Sequence, residues 1–99
     1  MKTTLTKTRI IKLLQEHRKE LKDLGVTRLG LFGSFAKGKQ HSKSDLDFLV
    51  TLQEETFDAY MDIKFLLEKL FKRKVDLVIE KDLKQQLNYV KEETIYAGL

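Results

Sequence analysis

The sequence has no cysteine, no proline and no tryptophan. Without cysteine there is no disulfide framework and no thiolate metal site, which fits a reducing cytoplasm. Without proline, boundaries must be read from glycines, helix caps and changes of hydrophobic period. Long apolar runs are also missing. The opening MKTTLTKTRIIKLLQEHRKE is read as neither a signal peptide nor a membrane span. No repeat, linker or low-complexity tract divides the chain. Its 99 residues allow one domain, 1–99, with a modest core and no second lobe. Hydrophobic residues at 41% and charged residues at 34% describe an ordinary globular protein, not a disordered one. The net charge of +4 suits an anionic ligand such as a nucleotide, or an acidic partner, and equally a solvated lysine-rich surface.

What is present is periodic. Ile10, Leu14, His17, Leu21 and Leu24 recur at steps of three and four, which predicts one helix over 7–24 with a single apolar stripe. His17 lies on that stripe as a packed or edge histidine. Gly25 follows as the residue that closes the helix in a left-handed conformation. VTRLGLF (26–32), LDFLVTL (46–52) and KVDLVIE (74–80) read as strands. GSFAKGKQHSKS is a turn-rich connection with room for one helical turn after Gly33. Residues 56–72 form a second helix, with Tyr60, Ile63, Leu67 and Leu70 on one face. A last helix or two covers 82–96, with Leu83, Leu87, Val90 and Thr94 in register. The order α-β-β-α-β-α predicts an α/β or α+β sandwich on one small sheet.

Two acids open the second strand. Asp45 and Asp47 stand two apart, so their side chains share a face. Carboxylates about 4 Å apart repel by roughly 1 kcal/mol in water, and by several-fold more at intermediate dielectric. A shared divalent cation offsets this, and oxygen ligands are what Mg²⁺ or Mn²⁺ prefers. Asp76 stands alone among the aliphatic residues of VDLVI. If its strand lies beside 46–52, three carboxylates meet and could hold two metals about 3.5–4 Å apart. The alternatives stay open: Asp76 as an exposed edge acid or a lysine partner, Asp45 and Asp47 as solvated acids at a strand start. Gly33 and Ser34 tip the balance. The backbone turns sharply after a strand, and N–H groups with the Ser34 hydroxyl can face a phosphate, with Lys37 and Lys39 nearby. Gly33 to Lys39 also fits G-x-x-x-x-G-K, but Gln40 stands where a P-loop needs Ser or Thr, and the segment runs into a strand, not a helix. SKSDLDFLV lacks the spacing of an EF-hand.

Together, GSFAKG, SDLD and the lone acid of VDLV resemble the DNA polymerase β-like nucleotidyltransferase superfamily, whose pattern is hG[GS], [DE]h[DE] and a third carboxylate on a later strand. The opening helix, LFGSFAKG and LNYVKEETIYAG make nearly the whole chain similar to the minimal nucleotidyltransferase (MNT) antitoxins of HEPN/MNT toxin–antitoxin pairs. The resemblance implies a minimal nucleotidyltransferase fold, a small mixed sheet of about three to four strands flanked by helices. It implies that Gly33, Ser34, Lys37 and Ser44 bind the nucleotide, and that Asp45, Asp47 and Asp76 are catalytic and bind metal, two Mg²⁺ ions or Mn²⁺. Asp76, the third carboxylate, would bind metal or help to deprotonate the acceptor. Where the family often has arginine this chain has Lys37, which keeps the charge but loses the bidentate fork.

The reaction implied is Mg²⁺-dependent transfer of AMP from ATP to a tyrosine hydroxyl of a cognate HEPN-type RNase toxin, in the cytoplasm. The length leaves no room for the helical domain of larger nucleotidyltransferases, which implies that a partner completes the site. Two other readings remain: neutralisation of the toxin by occlusion alone, and transfer to a small molecule or an RNA end. Direct DNA binding is not expected, and no aromatic stacking platform for nucleic acid is evident. For docking, the apolar segment with Tyr89, Val90, Ile95 and Tyr96 is the surface expected, unless it simply packs as a last helix.

Overall fold

In the computed structural model, which describes residues 5–40, 44–83 and 89–99, the N-terminal apolar stripe is carried by two helices and not one. Helix α1 (Lys7–Glu16) starts at Thr6, whose Oγ1 accepts from the Arg9 N–H at 3.3 Å. Helix α2 (Arg18–Asp23) follows after a break at His17, where φ is −104° and ψ is 17°. The His17 N–H is shared between the carbonyls of Leu13 and Leu14, and its Nδ1 lies 3.0 Å from Glu20 Oε1. The interruption is one residue long, so Ile10, Leu14 and Leu21 still share the buried face. As expected, Gly25 closes α2 with φ +94°. Its carbonyl accepts from Gln53, which ties this corner to the end of the second strand.

Strand β1 (Val26–Phe32) runs without a gap into a single helical turn, α3 (Gly33–Lys37). Then come β2 (Leu46–Leu52), α4 (Phe57–Phe71) and β3 (Val75–Ile79). The order in the sheet is β3-β2-β1 with a fourth strand, β4 (Ile95–Tyr96), on the far side of β1. Both neighbours of β1 are antiparallel to it, while β2 and β3 are parallel and joined through α4. A parallel pair needs such a crossover.

Here the C-terminal expectation is corrected. Residues 80–82 form a 3₁₀ turn, a described helix α5 covers Tyr89–Glu93, and Ile95 and Tyr96 are strand, not helix. Leu87 lies outside the described residues. The reason is Gly30, which pairs with Tyr96. A Cβ at Gly30 would collide with Thr94 Cγ2 and the Tyr96 ring, so only glycine admits this strand so closely. Ile95 and Tyr96 are therefore taken up by the sheet edge.

Helix α4 starts and stops on local signals. Thr56 Oγ1 accepts from the Ala59 N–H at 3.1 Å, and Lys72 ends the helix in the left-handed region at φ 54°. Removing that cap by Thr56→Ala should cost about 1 kcal/mol. Thermal denaturation should then show a melting temperature lower by roughly 4–8 °C. An unchanged midpoint would mean that the cap contributes nothing.

One face of the sheet carries the core. Leu29, Leu31, Leu46, Phe48, Val50, Val75 and Leu77 meet Ile10, Leu14 and Leu21 from α1 and α2, and Ile63, Leu67 and Phe71 from α4. The rings of Phe48 and Phe71 stack at 5.9 Å. Alternation leaves Gly30, Asp47, Leu49, Thr51, Asp76 and Val78 for the second face. Helix α5 lies against β1 beside β4, and Asp47 and Asp76 share this second face.

Candidate active site

Register brings the acids together. Within the parallel pair Asp47 stands directly beside Asp76, and in the antiparallel pair it stands beside Phe32, the last residue of β1. The next residue, Gly33, has φ +76°. A Cβ on Gly33 would overlap Asp47 Oδ2 and reach 3.0 Å from its Cγ. The Asp47 carboxylate thus lies against the backbone at the start of α3. The two halves of the expected site, turn and carboxylates, are in contact.

Three of the remaining positions fall around this contact. Asp45 is exposed one step outside β2, and Asp76 is exposed on β3. Ser34 is half-buried in α3. Ser44 is buried, and its carbonyl accepts from Arg73 Nη1 at 2.9 Å. Lys37 sits in the last turn of α3, ion-paired with Glu93 of α5 at 3.1 Å. The sequence reading missed Arg73. Its guanidinium carbon lies 5.2 Å from the Phe35 ring centroid, so this one side chain ties α3 to the entrance of β2. Nothing in the run FKRKVD sets Arg73 apart from the cations around it. Also missed was the polar end of the same face. There Arg28 lies 3.8 Å over the Tyr96 ring, and the Tyr96 hydroxyl and Thr51 both donate to Glu80.

The electrostatics are those of uncompensated acid. Asp47 is pushed up to about 6, first by burial and then by the charges of Asp76 and Asp45. Among the described residues no three His, Cys, Asp or Glu side chains converge closely enough to hold a metal by themselves. Protein donors alone therefore do not close a cage here. Mg²⁺ rarely asks for one, since it usually takes one or two carboxylates and completes its shell with water and substrate phosphates. The raised Asp47 marks where a cation would be favourable.

A folded value above the unfolded one means that, in chelator-treated protein, this acid lowers stability as pH rises. The penalty is absent below the unfolded value near 3.8 and complete above about 6. Allowing for solvent screening, it amounts to about 1–2 kcal/mol. Urea denaturation in EDTA should therefore show Asp47→Asn more stable than the parent at pH 8, with the difference shrinking toward pH 4. Equal midpoints at both pH values would contradict the crowding of these acids.

A mixed four-stranded sheet, a strand-glycine-serine-helix turn and carboxylates on its neighbouring strands define a nucleotidyltransferase. Comparison with known proteins agrees. The nucleotidyltransferase domain family matches residues 14–97. The protein adenylyltransferase MntA of Thermococcus cleftensis is 35% identical over 95 residues, 93% of this chain and 96% of that protein. A solved structure assigned to the minimal nucleotidyltransferases superposes with a TM-score of 0.72 at 30% identity, covering 95% of this chain and 98% of its own. A chain from a toxin–antitoxin complex solved with AMP-PNP superposes at 0.66 and 25% identity, covering 94% of this chain and 73% of that one. The chain belongs to the nucleotidyltransferase domain family. No helix among the described residues is long and apolar enough to cross a membrane.

Proposed function

We propose that this nucleotidyltransferase transfers AMP from ATP to a tyrosine hydroxyl of a cognate HEPN-type toxin, and that this modification is how it acts as antitoxin. The observation that carries the reading is the seat of Asp47 on the Gly33 backbone with Asp76 beside it. Gly33 and Ser34 bind the triphosphate through backbone and hydroxyl donors, with Ser44 and Lys37 at the rim. Phosphate contact by Lys37 competes with its ion pair to Glu93. Asp45, Asp47 and Asp76 would hold Mg²⁺, which neutralises charge on the phosphates and the leaving pyrophosphate.

The tyrosine oxygen attacks the α-phosphorus. The bond from the α-phosphorus to the bridging oxygen breaks, and pyrophosphate leaves with that electron pair. The phenolic proton passes to the Asp76 carboxylate, which is exposed on β3. Both substrates, ATP and the toxin, are met in the cytoplasm.

Intact-protein mass spectrometry of the toxin after incubation with this chain, ATP and Mg²⁺ tests the reading. The toxin should gain one or more adenylate units, and a toxin with the acceptor tyrosine changed to phenylalanine should gain none. A toxin that is neutralised without any mass change would overturn catalysis in favour of occlusion.

A further inference from the structure

Among the described residues the sheet ends at β3, which has β2 on one side only. In a parallel pair, alternate residues of an edge strand turn their peptide groups away from the partner. Two contacts from α4 show which residues do so here. Glu68 Oε2 accepts from the Val75 N–H at 3.2 Å, and the Tyr60 hydroxyl donates to the Leu77 carbonyl at 2.6 Å. Val75, Leu77 and Ile79 therefore face outward, and Asp76 and Val78 face β2. The two α4 side chains cover the beginning of the edge. Beyond them it opens into a groove lined by Thr56, Phe57, Tyr60, Leu77, Ile79 and Asp82, among others.

Its wall includes Phe57, 76% exposed and one of two large hydrophobic side chains left in solvent among the described residues. Asp82 and Glu55 line this groove, and Asp58 follows Phe57 in the first turn of α4. Asp58, Asp62 and Asp82 are all exposed, while Glu55 is paired with Lys81. The same strand carries Asp76 on the face of the candidate active site.

We propose that this edge receives an extended, basic, tyrosine-bearing segment of the acceptor protein, which adds to β3 as a further strand and presents its hydroxyl to Asp76. An added strand runs about 5 Å from β3, so its residue opposite Asp76 lies beside it on the same face. Main-chain bonds go to Leu77 and Ile79, and the incoming strand replaces the Tyr60 hydroxyl at the Leu77 carbonyl. An apolar side chain of the segment fills the groove against Phe57, and basic residues meet the exposed Asp58 and Asp82. The inference rests on the transfer reading above, and adds where and in what conformation the acceptor binds.

Hydrogen exchange on the full chain, with purified HEPN toxin in excess and no nucleotide, tests it first. Amides of Leu77 and Ile79 should exchange at least tenfold more slowly in the complex. Steady-state transfer then tests two variants. Phe57→Lys places a cation on the groove wall. Ile79→Pro removes an outward N–H at a residue whose φ of −74° already suits proline. Each should raise the KM for toxin at least tenfold, with ATP affinity and the saturating rate unchanged. No protection of β3, or an unchanged KM in both variants, overturns the proposal. Protection that grows with concentration of this chain alone assigns the edge to a second copy and also overturns it. If the toxin protects β3 yet never gains AMP, the docking stands and the transfer reading falls.

Discussion

The Asp45→Asn/Asp47→Asn double variant is expected to lose AMP transfer by at least about a thousandfold while keeping its fold. A thousandfold corresponds to about 4 kcal/mol of transition-state stabilisation. That is within what charged groups aimed at a reacting phosphate supply. Asparagine keeps the shape and loses the charge. Neither side chain belongs to the buried cluster that holds the sheet to its helices, and the charge on Asp47 opposes folding in the metal-free protein because burial and two neighbouring acids raise it to about 6. Stability should therefore stay level or rise while activity disappears. The measurement is the initial rate of adenylation of the toxin, read beside the melting temperature of each variant. Transfer retained within tenfold of the parent would remove these acids from the mechanism. Activity lost together with the fold would make their role structural.

The strands and the faces of their acids were legible because each side of the pattern is local. Alternation in LDFLVTL places Leu46, Phe48 and Val50 in the core, and all three are fully buried. The same alternation puts Asp47 on the other face. One condition could not be read locally, that the strand of Asp76 lies next to that of Asp47. The parallel register supplies it. The failures have the same origin. His17 satisfies the helical period, so nothing in composition shows that the backbone breaks there. Ile95 and Tyr96 continue an apolar pattern that suits a helix as well as a strand, and their pairing is decided by Gly30, far earlier in the chain. Lys37 reads as a free cation until α5 brings Glu93 to it. Arg73 reads as one of several surface cations until the fold sets it on Ser44 and Phe35.

Gly33→Ala should damage transfer far more than the same change at Gly38. At φ +76° any residue with a Cβ is strained, by about 1–2 kcal/mol. Strain alone would not touch the chemistry, and Gly38 provides the control. Its φ is +71°, and an added Cβ there meets nothing within 4 Å. Gly38→Ala should thus lose roughly 1 kcal/mol of stability and keep its transfer rate. At Gly33 the same methyl group collides with the Asp47 carboxylate and also stands 3.0 Å from its Cγ and 3.2 Å from its Cβ, so the side chain must shift from its root. Moving that carboxylate displaces a group that lies against the Gly33 backbone and beside Asp76. A displacement of about 1 Å in such a site costs on the order of a hundredfold in rate. Gly33→Ala should therefore lose at least that much transfer in addition to the stability lost by Gly38→Ala. Rates and urea midpoints of the two variants, measured side by side, separate backbone strain from carboxylate contact. Equal rates would mean that the closeness of Gly33 to Asp47 is packing without consequence for catalysis.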